Sequence, residues 1–284
     1  MFKKPAAWLL SAWIGFSFSA YLPLAQADVS DILPRIKASV VGVGTFHPLR
    51  SPRISLMGTG FAVADGRHVV SNAHVTPALM EEEKGETIAI FLRTPDGIVV
   101  RKAVKAARDA EHDLLLLKFE GAALPPLLLD NANQAREGQL YYFTGFPIGA
   151  ALGLYPATHR AGLAAIAPVF SPPASARGLT AKLIKRADNP FLMFQLDATA
   201  YPGNSGSPLY DGQTGTVIGV INSVFVKGAK ENALRDPSGI TYAIPAQYIR
   251  ALLDEAGLGV VNPTTSKRGA AQEGIDIAAE RAVK

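Results

Sequence analysis

The segment Pro202-Gly-Asn-Ser-Gly206 combines a serine hydroxyl with glycines that permit a tight turn. A hydroxyl can attack an acyl group when nearby backbone amides stabilise the negative charge that develops on the acyl oxygen. Because Gly203 has no Cβ, the chain can turn sharply and bring the amides of Gly203 and Ser205 to one point. The amide of Asn204 is a further candidate for this oxyanion hole. The same composition also occurs in ordinary turns between strands, so this segment alone leaves both interpretations open.

Two upstream segments contain a base and an acid that could activate Ser205. His74 follows a predicted hairpin with its turn at Asp65-Gly66, and imidazole is a suitable proton acceptor near neutral pH. Asp113 stands at the start of the apolar run Leu114-Leu-Leu-Leu117, which is typical of a buried strand. A carboxylate at that point can accept the Nδ1–H of the histidine and stabilise the imidazolium. The sequence therefore predicts a triad of His74, Asp113 and Ser205.

The chain order histidine, aspartate, serine is that of chymotrypsin and differs from the orders in subtilisin and the α/β-hydrolases. On these motifs the sequence resembles the chymotrypsin-fold serine peptidases, and within them the bacterial HtrA/Deg-like branch. The segments that carry the resemblance are Gly58-Thr-Gly-Phe61, Ser71-Asn-Ala-His-Val75, Asp113-Leu-Leu-Leu-Leu-Lys118, Gln195-Leu-Asp-Ala198, Pro202-Gly-Asn-Ser-Gly206 and Tyr242-Ala-Ile-Pro245.

This resemblance implies an all-β fold of two six-stranded antiparallel β-barrels, followed by a C-terminal helix. His74 and Asp113 would come from the first barrel and Ser205 from the second. The chain would cross between the barrels near residues 125–137. The peptidase domain is expected to span residues 28–262, with a flexible tail over residues 263–284.

Two further properties of the HtrA-like branch bear on this chain. Its members usually carry PDZ domains after the peptidase, but the segment that follows Pro245 is too short for one, so we do not expect a PDZ domain here. Members often assemble as trimers, so the resemblance also implies a homo-oligomer. The loop over residues 171–190, rich in proline and basic residues, lies where these enzymes carry a regulatory loop, although a plain surface loop is an equal alternative.

The same fold implies where the substrate side chain before the cut would bind. The floor of this specificity pocket would begin at Thr199, which is neither Asp nor Glu, so an arginine or lysine substrate has no visible partner. The predicted walls of the pocket are Ala200, Asn222, Ser223 and Val224. We expect a preference for small or medium apolar residues. Ser207 replaces the glycine usual in this branch and resembles the glutamyl endopeptidases, which leaves a glutamate preference as the alternative.

The first residues have the composition of a secretory signal peptide. Lys3 and Lys4 precede an apolar stretch over residues 5–24, and Ala25-Gln-Ala27 is a small-residue cleavage site. We therefore predict cleavage after Ala27 and export to the periplasm or the medium. An uncleaved anchor is the alternative, because the apolar stretch could nearly span a bilayer.

Composition excludes several other classes of function. The net charge of +4 is too small to indicate nucleic-acid binding, and the 5 histidines lack the spacing of metal ligands. We therefore expect no metal, no cofactor and no nucleic-acid partner, and protein or peptide substrates. With no cysteine the exported chain would have no disulfides, but it is long enough to bury a core without them. A binding or sensing module with gated activity, and an esterase, are the competing functions.

Overall fold

The computed structural model describes residues 28–130, 134–148, 153–168, 191–223 and 239–259. Its strands form two closed barrels of six antiparallel strands each, which confirms the predicted fold class. The predicted signal peptide (1–27), the basic loop (171–190) and the C-terminal tail (263–284) lie outside the described residues.

The first barrel follows a short helix, α1 (Val29–Ser39), which begins where the Asp28 side chain accepts the amide of Ser30 at 3.0 Å. The strands of this barrel are β1 (Val40–Phe46), β2 (Ile54–Val63), β3 (His68–Asn72), β4 (Thr87–Thr94), β5 (Gly97–Asp109) and β6 (Leu114–Phe119). They close in the order β1-β2-β3-β6-β5-β4. The predicted hairpin around Asp65-Gly66 joins β2 to β3, where Phe61 pairs with Val70.

The second barrel starts after a crossing segment between Phe119 and Leu140. Its strands are β7 (Leu140–Gly145), β8 (Ala157–Pro168), β9 (Leu192–Asp197), β10 (Pro208–Asp211), β11 (Val217–Asn222) and β12 (Ile240–Pro245). They close in the order β10-β11-β12-β9-β8-β7.

A closing helix, α2 (Ala246–Glu255), joins the two barrels, because it packs against β5 and β6 of the first and against β11 of the second. Its buried face carries Ile249, Leu252 and Leu253, whose helical spacing predicted the element. None of the helices among the described residues is long and apolar enough to cross a membrane.

The continuous apolar run of β6 is explained by burial on both faces of that strand. Leu115 and Leu117 point into the first barrel, beside Val69. Leu114 and Leu116 point to the other face, into the core that includes the apolar residues of α2. Each fully buried leucine contributes about 1.5–3 kcal/mol to the free energy of unfolding. The start of β6, and with it Asp113, is therefore held from both sides.

Candidate active site

His74 and Asp113 meet at the end of two neighbouring strands of the first barrel. His74 lies in a 3₁₀ turn, Ala73–Val75, directly after β3, and Asp113 directly precedes β6. The His74 Nδ1 lies 2.5 Å from the Asp113 Oδ2, and the His74 backbone amide donates to Oδ1 at 3.0 Å. An ionised carboxylate only accepts hydrogen bonds, so Nδ1 is the donor in this contact, and in a neutral imidazole the lone pair is then on Nε2.

The backbone of Asp113 is held in an unusual conformation. Its φ is 53°, in the left-handed region that few residues other than glycine adopt. Its carbonyl accepts the amide of Ala73 at 3.0 Å and the side-chain Nδ2 of Asn72 at 3.1 Å. These bonds fix the carbonyl on β3, while the left-handed turn directs the carboxylate at His74.

Asn222 adds a contact from the second barrel. Its Nδ2 donates to the Asp113 Oδ2 at 2.9 Å, the same oxygen that faces His74. The sequence predicted Asn222 as a wall of the specificity pocket, but its side chain is fully buried against Asp113. The reason is that β11 ends at the cleft and turns this side chain towards the first barrel. Only the backbone of Asn222 is left to line a pocket.

The loop that carries Ser205 is fastened to both barrels. The carbonyl of Ser205 accepts the amide of Thr59 in β2 at 2.8 Å, and the amide of Gly206 donates to Ile221 in β11 at 2.9 Å. Gly206 has a φ of 89°, and a Cβ there would lie 2.0 Å from the Thr59 carbonyl oxygen. Glycine is therefore the residue that permits Ser205 to approach β2 so closely.

The peptide planes of this loop determine which amides are free. The carbonyl of Pro202 accepts the amide of Ile148 at 2.7 Å, and the carbonyl of Asn204 accepts the amide of Ser207 at 3.0 Å. Because carbonyl and amide point in opposite directions in a trans peptide, the next amides, of Gly203 and Ser205, point away from those partners. Within the described part of the chain, neither of these two amides has an acceptor.

Asn204 differs from the other two predicted oxyanion donors. Its amide donates within the loop to the carbonyl of Tyr201 at 3.0 Å, which completes the turn before Ser205. Its side chain is fully buried, so it cannot reach a bound substrate either. The arrangement therefore offers the amides of Gly203 and Ser205, and not Asn204, to an oxyanion.

Thr59 is a residue that the sequence interpretation missed. It is fully buried, and its Oγ1 donates to the Gly203 carbonyl at 2.7 Å and accepts the Phe146 amide at 3.1 Å. It thereby joins β2 to the serine loop and to the loop after β7. The signal was present in Gly58-Thr-Gly60, but the motif does not show that the hydroxyl faces a loop more than a hundred residues away.

The Ser205 hydroxyl has a different partner from the one that the triad predicts. Its Oγ is hydrogen-bonded to the Oγ of Ser223, and the Ser223 amide lies 3.4 Å from it. Among the residues that the structure describes, Ser205 and His74 share no hydrogen bond. A Cβ on Gly58 would be 2.9 Å from the Ser205 carbonyl oxygen and 2.7 Å from the side chain of Val75, so the backbone of the serine loop lies beside the turn that carries His74.

Thr241 supports the predicted floor of the specificity pocket. Its Oγ1 donates to the Ala198 carbonyl at 2.7 Å and accepts the Ala200 amide at 3.0 Å. The side chain is buried, so one hydroxyl fastens the residues on both sides of Thr199 to β12, and the Ala198 amide also donates to the Gly239 carbonyl at 3.0 Å. Val224, the last predicted wall residue, lies outside the described residues.

A second histidine–aspartate pair lies immediately before Asp113. The Nδ1 of His112 is 2.5 Å from the Asp109 Oδ2, and the His112 ring stacks on Tyr248 of α2 at 4.0 Å between ring centroids. Burial opposes ionisation of Asp109, but hydrogen bonds from the His112 backbone and ring lower its pKa below the ordinary value. The part of the chain that the structure describes has no cluster of three or more His, Cys, Asp or Glu side chains that could bind a metal.

Comparison with known proteins agrees with this geometry. The family model described as "Trypsin-like peptidase domain" matches residues 58–220, and the chain therefore belongs to that family. "Serine protease HTRA4" of Mus musculus is 30% identical over 237 residues, which cover 80% of this chain and 40% of that protein. "Serine protease HTR4" of Bos taurus is 28% identical over 239 residues, with 80% and 41% covered.

A bacterial relative extends the similarity. "Probable periplasmic serine endoprotease DegP-like" of Marinomonas sp. is 24% identical over 242 residues, which cover 82% of this chain and 44% of that protein. The predicted resemblance to HtrA-like serine proteases is therefore confirmed. The chain spans less than half the length of the relatives it matches.

Proposed function

We propose that this protein is a serine endopeptidase that hydrolyses peptide bonds with Ser205 as nucleophile, His74 as base and Asp113 as the residue that orients the base. The observation that carries the proposal is the contact between His74 and Asp113 beside a loop in which the amides of Gly203 and Ser205 have no acceptor among the described residues. With the Nδ1 proton held by Asp113, the Nε2 lone pair can accept the proton of a serine hydroxyl.

The reaction follows from these positions. The Ser205 oxygen attacks the carbonyl carbon of the substrate while its proton passes to the Nε2 of His74. The carbonyl oxygen becomes an oxyanion and accepts hydrogen bonds from the amides of Gly203 and Ser205. His74 then gives its proton to the leaving amine, which leaves an acyl group on Ser205. Water repeats the sequence and releases the acid, with Asp113 stabilising the imidazolium in each half.

We propose that the enzyme prefers substrates with a small or medium apolar residue immediately before the cleaved bond. Thr199 offers no charge to an arginine or lysine side chain, and the single hydroxyl of Thr241 is used to hold the Ala198–Ala200 backbone. A library of peptides that vary only at this position tests the proposal. A strong preference for Arg or Lys would contradict it, and a preference for Glu would favour the glutamyl-endopeptidase alternative.

Export to the periplasm or the medium is proposed on the layout of residues 1–27 and on the DegP-like relative, whose name describes it as periplasmic. Fractionation of cells that express the full chain, with N-terminal sequencing of the product, tests this. Asp28 as the first residue of exported protein would support cleavage. An intact N-terminus in the membrane fraction would favour the anchor.

Assembly as a homo-trimer is proposed on the resemblance alone. Light scattering of the purified protein tests it.

The enzymatic proposal is tested by casein cleavage with purified protein, beside the Ser205→Ala variant. We expect cleavage by the wild type and none above background by the variant. Equal cleavage by both proteins would contradict the assignment of Ser205. Absence of cleavage by both would favour the binding or sensing module, and a library of short esters would distinguish the esterase.

A further inference from the structure

The hydroxyl of Ser205 is engaged by Ser223 and not by the proposed base. The two Oγ atoms are hydrogen-bonded, and the Ser223 amide is 3.4 Å from the Ser205 Oγ. His74 is meanwhile fixed by Asp113 through both its Nδ1 and its backbone amide. The base is thus fixed on Asp113, while the nucleophile hydroxyl is hydrogen-bonded to another serine.

Ser223 is held in this position by the residue before it. Asn222 ends β11 and is anchored on Asp113 at 2.9 Å. Ser223 follows Asn222 directly, in a bend at the end of β11, so the anchoring of Asn222 fixes the backbone from which the Ser223 amide and hydroxyl reach Ser205. The contact between the two serines is therefore a consequence of β11 and not of a loose surface side chain.

The contact is incompatible with attack on a substrate. A serine hydroxyl has one proton and two lone pairs. If Ser205 donates to Ser223, its proton is not available to the Nε2 of His74. If Ser223 donates to Ser205, its hydroxyl and its backbone amide together occupy both lone pairs of the attacking oxygen. In either case the hydrogen bond must break before Ser205 can attack.

We propose that Ser223 is a positioning residue that holds Ser205 in a resting rotamer, and that an extended substrate bound along Asn222 and Ser223 releases it. This inference rests on the proposed peptidase function. The free enzyme then consists mainly of molecules whose nucleophile faces Ser223. The fraction with Ser205 turned to His74 determines the apparent affinity for substrate and for reagents that attack this serine.

The test compares Ser223→Ala with Ser223→Thr, which keeps a hydroxyl, and with Ser30→Ala, which removes an exposed serine of α1. The readout is the rate at which a fluorophosphonate labels the purified protein. Loss of one neutral hydrogen bond is expected to raise the labelling rate of Ser223→Ala by about 2- to 10-fold. Ser223→Thr keeps the hydroxyl and should label more slowly than Ser223→Ala, and Ser30→Ala should label at the wild-type rate.

Steady-state kinetics with a peptide substrate give a second readout. Because the resting rotamer is displaced when substrate binds, Ser223→Ala should lower KM by a larger factor than it changes kcat. The pH midpoint of labelling should stay constant, since the contact of His74 with Asp113 is not altered. A thermal melt shows that each variant is folded.

Two results would overturn the inference in distinguishable ways. If labelling of wild-type protein depends on Ser205 but Ser223→Ala labels at an equal or lower rate, Ser223 does not hold a resting rotamer and the peptidase proposal still stands. If no variant shows labelling that depends on Ser205, the proposed function fails and the inference fails with it.

Discussion

Two histidine–aspartate pairs in this molecule have nearly the same geometry. In both, Nδ1 lies 2.5 Å from a carboxylate oxygen, and the histidine amide donates to the other oxygen at 3.0 Å. The histidine side chains are 24% exposed in His74 and 18% exposed in His112, so neither distance nor exposure distinguishes them.

The surroundings of the two pairs are different. His74 and Asp113 are 39 residues apart and come together only because β3 and β6 are neighbours, whereas His112 and Asp109 belong to one turn. Asp113 also binds Asn222 of the second barrel. The ring of His112 is covered by Tyr248 on its face and by Phe191 at its edge. A histidine–aspartate pair therefore becomes a candidate base through its position beside a nucleophile, while the same pair elsewhere supports a turn.

The largest expected effect separates the two histidines. His74→Ala should reduce kcat by about 10⁴-fold or more, because Ser205 loses its proton acceptor. His112→Ala should change kcat by less than about 10-fold, since it alters a turn that only supports Asp113. Steady-state cleavage of one peptide by both variants measures the difference. Similar losses in both would mean that the two pairs do not have the separate roles assigned to them.

Variants of Asp113 and Asp109 should differ in kcat in the same direction as those of the two histidines, but by a smaller factor. Asp113→Asn keeps the shape of the side chain but favours the wrong tautomer of His74, and should reduce kcat by about 10³- to 10⁴-fold. The matched change Asp109→Asn should leave kcat within about 10-fold of wild type. If Asp113→Asn retained full kcat at neutral pH, the orienting role of this carboxylate would be excluded.

Asn222 should have an intermediate effect because it donates to a charged group. Asn222→Ala removes a hydrogen bond of about 1.5–3 kcal/mol, and we expect a decrease of about 10- to 100-fold in kcat/KM. Asn222→Asp is the second variant to compare, because it replaces the hydrogen-bond donor by a second carboxylate next to Asp113. A normal kcat/KM in both variants would show that the buried amide does not support the site.

The smallest effect concerns stability and not turnover. The pKa of Asp109 is lowered in the folded protein, so this carboxylate stabilises the fold above its ordinary pKa of 3.8, and the contribution is lost as pH falls through the folded-state pKa. The difference in unfolding free energy between wild type and Asp109→Asn should therefore be larger at about pH 5 than at about pH 2.5. An equal difference in unfolding free energy at the two pH values would contradict this role of Asp109.

Local patterns in the sequence predicted the elements of the fold well. The turn at Asp65-Gly66, the apolar run of β6 and the spacing of Ile249, Leu252 and Leu253 each depend on residues close together in the chain. The grouping into two barrels came from the resemblance, and the structure confirms it.

The details of the site depend on contacts between distant segments and could not be predicted in this way. The left-handed conformation of Asp113 requires β3 as its partner, and the burial of Asn222 requires the first barrel. The use of the Asn204 amide by Tyr201 depends on how the whole loop is folded. A motif indicates which side chains could react, but the hydrogen bonds among strands decide where each one points.

We propose that the pair of His74 and Asp113, and not the pair of His112 and Asp109, activates Ser205. Peptide mapping by mass spectrometry of fluorophosphonate-treated protein tests it directly, with wild type, His74→Ala and His112→Ala treated in parallel. We predict one labelled peptide, which contains Ser205, in the wild type and in His112→Ala, and no label in His74→Ala. Label on another serine, or label on Ser205 that persists in His74→Ala, would contradict the account.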